Sequence, residues 1–359
     1  MQIKSHPATL VSRRKFLRST TKGGLLSLSS LSALSFLPAS CMSAQTIYTG
    51  INLDKLHCFE IRVSDVQKTI EFYQQLLGMN VLSSFAGRTC LQVGGSNQFM
   101  AVRETMTGET PAITKLGYSV ENYDLASQLE ALKNTGFREI DAPEETVPGI
   151  ENAMSVWILD RQGTPELHFA DANGVIVQLV DDMYCGGSGP LGSNCINASP
   201  APSPGRFNLH EINHFTAFVN DGAGANEYYQ QAFDLDVQAY QGPGSPVTGI
   251  GDGYQFVMYA GPFPGQGQTP ANIHHACFNM HDFDESDILT KLTDFGLTAR
   301  GDRQTGPLMH YVSRRMPERG GAEGGTPEIY FTDPDGILMQ LQDTSYCGGG
   351  GYLGNECLL

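Results

Sequence analysis

The sequence has few charged residues and, among them, few basic ones. Only 17 % of its 359 residues are charged, and 22 Lys and Arg stand against 38 Asp and Glu. Six of the basic residues lie in the first 22 positions, where no acidic residue occurs, so the rest of the chain carries a net charge of −22. A surface this acidic repels phosphate backbones and anionic lipid. The composition therefore argues against nucleic-acid binding and against docking on acidic membranes.

A hydrophobic run long enough to span a bilayer is also lacking near the N-terminus. The most apolar stretch there, Gly23 to Phe36, has 14 residues, whereas a spanning helix needs about 20. It follows Ser-Arg-Arg-Lys-Phe-Leu-Arg at 12–18 and precedes small residues up to Ala44, and this arrangement resembles a twin-arginine export signal. We therefore expect residues 1–44 to be a signal peptide and the mature protein to reach the periplasm or the cell surface.

The end of this leader allows a second interpretation. Leu-Pro-Ala-Ser-Cys at 37–41 resembles a lipoprotein cleavage box, although Pro38 stands where an aliphatic residue is usual. In that case the signal would end before Cys41, and Cys41 would carry the lipid. Lipidation of Cys41 stays an open alternative, and we expect membrane attachment only through such an anchor.

Cysteine is scarce, with eight residues, and four of them form a repeated pattern. Tyr-Cys-Gly-Gly at 184–187 and again at 346–349 begins a glycine-rich loop that ends in a second cysteine. Short flexible loops reach disulfide geometry easily, and an oxidising compartment favours the bond. A metal knuckle is the alternative, but no His or third Cys lies nearby to complete its ligands. We predict two disulfides, Cys185–Cys195 and Cys347–Cys357, and three buried free thiols, Cys58, Cys90 and Cys277.

The chain also repeats itself over a much longer distance. Glu71 to Val81 matches Glu227 to Val237 at an offset of 156. The turn Asp-Ala-Asn-Gly at 171–174 matches Asp-Pro-Asp-Gly at 333–336 at an offset of 162. Two matches at nearly the same offset indicate a tandem duplication with a few inserted residues.

This duplication sets the expected domain boundaries. We expect a first domain at 52–195 and a second at 209–357, each ending in its cysteine loop. The segment between them, residues 196–208, is rich in Pro and Ser and is typical of a linker.

Each half shows the same order of periodic segments. A strand leads to an amphipathic helix and then to several short strands, and this unit occurs twice per half. The units carry Asp65, Glu71-Phe72-Tyr73 and Leu77-Gly78 at the start of the chain and Asp333-Pro-Asp-Gly336 and Gln340 near its end. In this they resemble the vicinal oxygen chelate superfamily of glyoxalases, bleomycin-resistance proteins and extradiol dioxygenases. The resemblance implies an α+β fold of tandem domains, each a pair of βαβββ units that form an open barrel-like sheet.

In metal-dependent members of this superfamily, ligands lie on the first strand, near the middle and on the last strand of a domain. In the second half the resemblance places them at His214, His275 and Gln340. Gln340 stands where the family usually has Glu. In the first half the same positions hold Cys58, Lys115 and Gln178, and a lysine ammonium has no lone pair to offer a metal. We therefore expect one divalent ion per chain, Fe, Mn or Zn, in the C-terminal half.

Two residues are candidates for proton transfer. Tyr330 lies on the strand before Gln340, where extradiol enzymes have a tyrosine that contacts the substrate, and His310 lies in a β-like stretch. Each also has a plainer interpretation, a packed barrel tyrosine and a surface histidine. His274 precedes a ligand position and should face away from the cavity. Residues 254–267 contain no histidine, although extradiol enzymes carry an additional acid-base histidine in this region.

These features predict an exported metalloenzyme with extradiol-dioxygenase-like chemistry on a small phenolic or vicinal-oxygen compound. Three alternatives remain open. The missing acid-base histidine and the Gln in place of Glu favour a non-catalytic small-molecule binder, as bleomycin-resistance proteins are. The other two are a glyoxalase-type lyase or isomerase and a structural exported lipoprotein. The oligomeric state is also open, and a homo-oligomer is compatible with the sequence.

Overall fold

The structure is a computed structural model that describes residues 47–143, 149–262, 267 and 270–358. The expected signal peptide at 1–44 and the lipidation candidate Cys41 lie outside the described residues. Within those residues, no helix has both the length and the apolar character needed to cross a membrane.

The described part of the first half contains two βαβββ units, and the second unit has an extra two-residue strand after its helix. The elements of the first unit are β1 (Leu53–Val63), α1 (Val66–Leu77), β2 (Val81–Phe85), β3 (Arg88–Gln92) and β4 (Phe99–Glu104). Those of the second unit are β5 (Ala112–Val120), α2 (Leu125–Asn134), β6 (Arg138–Glu139), β7 (Ser155–Asp160), β8 (Pro165–Ala170) and β9 (Ile176–Val180).

The second half repeats this order element by element. Its first unit comprises β10 (Leu209–Phe218), α3 (Gly222–Phe233), β11 (Val237–Tyr240), β12 (Pro246–Gly249) and β13 (Phe256–Ala260). Its second unit comprises β14 (Asn272–Met280), α4 (Glu285–Phe295), β15 (Thr298–Ala299), β16 (Met309–Arg315), β17 (Thr326–Thr332) and β18 (Leu338–Asp343). The predicted α+β fold of tandem paired units is confirmed.

The sheet of each half has the same mixed topology. β1 pairs in parallel with β4 and antiparallel with β5, which pairs in parallel with β9. In the second half, β10 pairs in the same way with β13 and β14, and β14 pairs with β18. One pair of residues, Ile113 and Ile273, links β5 to β14 across the two halves. The first and last strands of a half are thus brought to one curved face, where distant residues can meet.

Aspartate begins every one of the four described helices. In each case the carboxylate accepts a hydrogen bond from the backbone N–H three residues later, which satisfies a donor that the helix leaves unpaired. The four capping residues are Asp65, Asp124, Asp221 and Asp284. Gly78 ends α1 in the left-handed region, with φ of +67°, and a Cβ there would lie 2.2 Å from the Pro204 carbonyl oxygen. Glycine is therefore required by both the helix end and the close approach of the chain.

The segment expected to be a linker lies along the first half. Ser199 forms an antiparallel bridge with Val81, and the backbone N–H of Ala201 donates to Asn80 Oδ1 at 2.9 Å. Residues of this segment are therefore fixed to the start of β2 by hydrogen bonds.

Two glutamines join the first strands of the two halves. Gln255 accepts from the Leu56 N–H at 2.9 Å and donates to the Ile212 carbonyl at 2.6 Å. Gln98 makes the reciprocal contacts, donating to the Leu56 carbonyl at 2.5 Å and accepting from the Ile212 N–H at 3.1 Å. All four residues are buried, so these bonds satisfy main-chain donors and acceptors away from water.

The halves also exchange contacts between a helix and the turn before a last strand. The Tyr73 hydroxyl on α1 donates to Asp333 Oδ2 at 3.4 Å, and the Tyr229 hydroxyl on α3 donates to Asp171 Oδ2 at 3.2 Å. Burial raises the pKa of Asp171 to about 6 and that of Asp333 to about 7. Each copy of the repeated turn therefore forms a hydrogen bond with a helix of the other half.

The Asp333 carboxyl should make stability depend on pH. Because its folded pKa lies above its ordinary value of 3.8, the folded state holds a proton that the unfolded state releases, so its contribution is fully present below pH 4 and lost as the pH rises through about 7. Urea unfolding should show Asp333→Asn gaining stability relative to wild type between pH 4 and pH 8. The gain should be about 1.4 kcal/mol for each pH unit that separates the folded pKa from the unfolded one. Asp252→Asn, at an exposed position, is the control. Parallel curves for wild type and Asp333→Asn would reject this role.

The structure forms both predicted disulfides, Cys185–Cys195 and Cys347–Cys357. Each closes a loop of the same sequence separation, 10 residues. The other described cysteines, Cys58, Cys90 and Cys277, are buried free thiols, as predicted.

Thiol labelling should divide these cysteines into two sets. Alkylation in denaturant without reductant should modify Cys58, Cys90 and Cys277 and leave the four loop cysteines unmodified. Peptide mass spectrometry reads the result directly, and addition of reductant before alkylation should add label at Cys185, Cys195, Cys347 and Cys357. Labelling of these four without reductant would contradict the two disulfides.

Candidate functional site

A cavity of about 700 Å³ lies in the second half. Strands β10, β14, β17 and β18 and the second cysteine loop contribute side chains to its wall, and among the lining residues are His214, His275, Glu328, Tyr330, Gln340 and Tyr346. The three ligand candidates from the sequence and one of the two proton-transfer candidates thus line the same space.

His214 and His275 approach each other in the wall of this cavity. Their Nε2 atoms are 3.3 Å apart, because β10 and β14 are antiparallel neighbours that place His214 beside Cys277 and His275 beside Thr216. Burial lowers the pKa of His214 to about 3 and that of His275 well below its usual range. Both imidazoles are therefore neutral at pH 7, the form in which histidine binds a metal.

The other nitrogen of each ring is engaged by a neighbour. His214 Nδ1 lies 2.8 Å from Asn213 Oδ1, and His275 Nδ1 lies 2.9 Å from His274 Nδ1. The His214 ring also stacks on Phe256, with a centroid distance of 4.3 Å and an interplanar angle of 8°. Outer contacts of this kind fix the orientation of a ligating imidazole.

Gln340 completes the group from β18. Its side chain lies beside both imidazoles and acts to raise the pKa of each, against the larger effect of burial, which lowers it. Both amide atoms of Gln340 are buried, and among the described residues neither has a partner at the distance and angle of a hydrogen bond. A buried amide without a partner is rare in folded proteins, so its surroundings are suited to a group that binds the amide oxygen.

These three residues fit a divalent metal ion. Two nitrogens at about 2.0–2.1 Å from one tetrahedral ion lie about 3.3–3.4 Å apart, which is the separation of the two Nε2 atoms. Among the described residues, no three His, Cys, Asp and Glu side chains gather to form a metal site. An ion here would therefore take its third protein ligand from the Gln340 amide.

Tyr330 stands next to this group, on β17 opposite Gln340. Its ring meets that of His275 edge-on at 5.3 Å, and its hydroxyl donates to Glu328 Oε2 at 3.4 Å. Burial, assisted by the negative charge of Glu328, raises the pKa of Tyr330 well above its usual value. The phenol is therefore protonated, and because its one proton is donated to Glu328, its oxygen can accept a hydrogen bond from a group in the cavity.

Glu328 is held on its other side by two groups. Arg315 Nε donates to Glu328 Oε1 at 2.9 Å, and the Tyr346 hydroxyl donates to the same oxygen at 3.3 Å. Arg315 is itself buried, so this carboxylate and guanidinium compensate each other's charge away from water.

The structure places His310 away from the cavity. Its Nε2 lies 3.0 Å from Thr293 Oγ1 on α4, and it is not among the residues that line the cavity. Adjacent positions on a strand face opposite sides, and His310 is on the helix-facing side of β16 while Tyr311 lines the cavity. His310 is therefore not placed to act as the base that we considered.

His274 lines the cavity, although we expected it to lie outside. Strand alternation predicts that its side chain faces away. The pairing of β10 with β14 shifts register between Thr216–His275 and Ala217–Ile273, which leaves His274 as an extra residue. Such a β-bulge turns a side chain from its regular direction, and here it brings the His274 imidazole to the cavity wall.

The matching place in the first half is filled by charged side chains. Lys115 stands at the position of His275, and its Nζ lies 3.3 Å from Glu60 Oε2 and 3.3 Å from His168 Nε2. Gln178 Nε2 donates to the Tyr184 hydroxyl at 2.9 Å, and burial raises the pKa of the Cys58 thiol to about 12. The first-half residues therefore bind one another where the second half has a cavity.

The sequence matches the family described as the Glyoxalase/Bleomycin resistance protein/Dioxygenase superfamily over residues 55–178 and 211–341. The chain belongs to this superfamily. Both matched segments coincide with a pair of βαβββ units, so each half of the chain is a member in its own right. No curated protein sequence matches the chain.

Solved structures show the same architecture. The chain is similar to homoprotocatechuate 2,3-dioxygenase from Brevibacterium fuscum in complex with 3,4-dihydroxyphenylacetate, with 15% identity, a TM-score of 0.55 and coverage of 82% of each chain. The enzyme of that name from Arthrobacter globiformis gives 16% identity and a TM-score of 0.54, covering 81% of this chain and 79% of that one. At this identity the likeness establishes the two-domain fold.

Sequence reasoning missed several residues of the site. Among them are Asn213, Arg315 and Glu328. One signal was available for Glu328, because Thr-Pro-Glu at 326–328 repeats Thr-Pro-Glu at 164–166 with the same offset of 162 as the turn that follows. Asn213 and Arg315 lack such a signal, because each acts through contacts with loop residues far away in the chain.

Proposed function

We propose that the protein is an exported, metal-dependent enzyme of this superfamily that acts on a small phenolic or vicinal-oxygen compound, with its metal site only in the C-terminal half. The observation that supports this most is the placement of two neutral imidazoles, His214 and His275, and the buried amide of Gln340 together in the wall of a ligand-sized cavity. Dioxygenase-like chemistry of the extradiol type is the version we favour.

The three side chains would hold one Fe, Mn or Zn ion. When bound, the ion supplies Lewis acidity and open positions for two neighbouring substrate oxygens, and with Fe or Mn also a centre for oxygen chemistry. Because Gln340 brings no negative charge, the site leaves more of the ion's charge for the substrate than a site with Glu would.

Tyr330 and Glu328 would contact a substrate bound next to the three metal-ligand candidates. The protonated Tyr330 hydroxyl donates to Glu328 at 3.4 Å, so its oxygen can accept a hydrogen bond from a substrate hydroxyl beside the ligand group. Glu328 is fixed by Arg315 at 2.9 Å, so the hydroxyl has a defined direction. The two residues would thus orient the substrate oxygen and hold a proton near it.

The charge of the cavity wall favours an anionic or ionisable ligand. Arg300 and Arg319 line the cavity, and the Arg300 guanidinium lies over the Tyr311 ring at 3.7 Å. Glu328, which also lines the cavity, already pairs with Arg315. A positive wall within an acidic protein attracts a phenolate or a carboxylate-bearing phenol more strongly than a cation.

Export is supported by the two disulfides, since such bonds persist in oxidising compartments. The leader at 1–44 is the segment that would direct it, with Cys41 as the alternative lipid anchor. Cell fractionation of the full chain, with Arg13→Lys/Arg14→Lys as the comparison, tests this part of the proposal. Retention of wild type in the cytoplasm would reject it.

Metal analysis of the purified protein and an oxygen-uptake assay with catechols test the enzymatic part. We expect close to one equivalent of Fe, Mn or Zn per chain and oxygen consumption with catechols, faster for an anionic catechol than for a cationic one of the same size. Metal-free protein that still binds phenols would favour a non-catalytic binder. The position of His310 outside the cavity and the absence of histidine from 254–267 also favour that alternative. Metal without oxygen uptake, but with isomerase activity on thiol conjugates, would favour a glyoxalase-type enzyme.

A further inference from the structure

We infer that Asn213 and the loop closed by the Cys347–Cys357 disulfide together hold His214 in the tautomer and orientation that a metal ion needs. The inference rests on the proposed function, because it assigns positioning residues to the same site. It also predicts that the site depends on one of the two disulfides and is indifferent to the other.

A short chain of hydrogen bonds connects the loop to the imidazole. Asn213 Nδ2 donates to the Tyr346 backbone carbonyl at 2.9 Å, and Asn213 Oδ1 lies 2.8 Å from His214 Nδ1. A carbonyl oxygen can only accept, so the amide nitrogen must face Tyr346 and the amide oxygen must face His214. The imidazole proton is therefore on Nδ1, and Nε2 keeps its lone pair on the side of His275.

Contacts on both sides fix the Tyr346 carbonyl. The Tyr346 ring is buried and lies 5.6 Å from the His214 ring at an angle of 29°. Gln238 Nε2 donates to the carbonyl of the next residue, Cys347, at 2.9 Å. The far side of the loop covers the same ring so closely that a Cβ at Gly354 would lie 2.5 Å from Tyr346 Cε2.

Arg315 connects this loop to the second functional residue. Its Nη2 donates to the Gly349 carbonyl at 2.9 Å, and its Nε donates to Glu328 at 2.9 Å. Because Glu328 accepts from the Tyr330 hydroxyl, the loop is connected through Arg315 and Glu328 to Tyr330, as it is connected through Asn213 to His214. Opening the disulfide would give the loop freedom to move at the residues that make these contacts.

The first half supplies the matched control within the same molecule. Its loop, Cys185–Cys195, has the same sequence separation, and the Tyr184 carbonyl lies 2.7 Å from His57 Nε2, at the position that matches Asn213. The residue after His57 is Cys58, a buried thiol packed against Cys90 and Phe99. The first loop therefore holds no imidazole that faces the cavity.

Loss of the disulfide should act on metal affinity through the tautomer of His214. Once the Tyr346 carbonyl moves, the Asn213 amide can turn, and its nitrogen would then face Nδ1 and favour the Nε2–H form. An imidazole with its proton on Nε2 cannot bind a metal through that atom. Removal of an outer partner of a ligating histidine typically weakens metal binding about 10–100-fold.

Calorimetric titration of the metal-stripped full chain with Zn²⁺ alone tests the inference. We expect C347S/C357S and Asn213→Leu to bind Zn²⁺ about 10–100-fold more weakly than wild type, and C185S/C195S to remain within about threefold. Both double variants lose a disulfide of equal loop size, so general loss of stability affects them alike. If C347S/C357S does not fold, Asn213→Leu carries the test.

Nitrogen NMR of the histidine rings in the metal-free protein separates this inference from the proposed function. Wild type should show His214 with its proton on Nδ1, and C347S/C357S and Asn213→Leu should show a mixture of tautomers. A folded C347S/C357S with wild-type zinc affinity and an unchanged tautomer would overturn the inference. Wild type that binds no Zn²⁺ would defeat the proposed metal site, while the tautomer would still show whether the loop positions the ring.

Discussion

His214→Ala should lower the affinity of the chain for a divalent metal ion at least about 100-fold. The reason is that the two Nε2 atoms, 3.3 Å apart, provide both nitrogen ligands of the proposed site, and the third group is a neutral amide. With one imidazole removed, His275 and Gln340 alone would be a weak pair. Metal content after dialysis and calorimetric titration with Zn²⁺ measure the loss.

Cys58→Ala is the matched control for this substitution. Cys58 occupies the position of His214 in the first half, on β1, and its side chain is also buried. We expect Cys58→Ala to keep the wild-type metal content, because the first-half residues pair with one another. Equal loss in the two variants would show that the metal is not held by His214, and undiminished metal in His214→Ala would do the same.

The repeat explains why the fold could be predicted well from the sequence. Strand and helix periods, aspartate caps such as Asp65 and Asp221, and turns such as Asp333 to Gly336 are local signals, and each occurs twice or more in the chain. The duplication strengthens these signals, because an element with a weak sequence signal in one half has a second copy in the other half. Helix α3, for example, begins at Gly222 because Asp221 caps it.

Ligand positions could be predicted for a related reason. His214 and His275 keep a fixed distance in sequence from recognisable elements, and the sheet brings β10 and β14 together in one register. Strand alternation alone predicts that His274 faces away, whereas His310 is a candidate only because it lies in a β-like stretch. That rule failed at His274 because a bulge interrupts the pairing of β14 with β10.

The charged filling of the first half could not be predicted from the sequence. Arg88, Lys115 and Glu166 are far apart in the chain, and each is an ordinary charged residue until β3, β5 and β8 bring them together. A charged side chain enters a core only when its partners are already there. Such clusters depend on several long-range contacts at once, and a single sequence does not record them.

Glu166→Gln should destabilise the protein by about 3–5 kcal/mol, the usual result of removing one partner from a buried ion pair. Glu166 accepts from Arg88 Nη2 at 3.0 Å and from Arg161 Nε at 3.1 Å, and all three side chains are buried. Burial alone would raise the pKa of Glu166, but Arg88, Lys115 and Arg161 hold it well below its usual value. Its stabilising effect is therefore present at neutral pH and is lost only as the pH falls through that lowered pKa.

Urea unfolding at pH 7 measures this effect, with Glu130→Gln as the comparison. Glu130 pairs with Lys133 at 2.8 Å on the surface, and an exposed pair contributes about 0–1 kcal/mol. Glu166→Gln should keep wild-type affinity for Zn²⁺ below its unfolding transition, because the cluster lies in the half without the proposed ligands. Equal stability of the two variants would show that the arginines find other partners, whereas lost zinc affinity in folded Glu166→Gln would mean that the first half takes part in the site. We expect a large loss of stability without loss of metal. This combination would show that the charged residues of the first half stabilise the fold, whereas the cavity of the second half binds the metal.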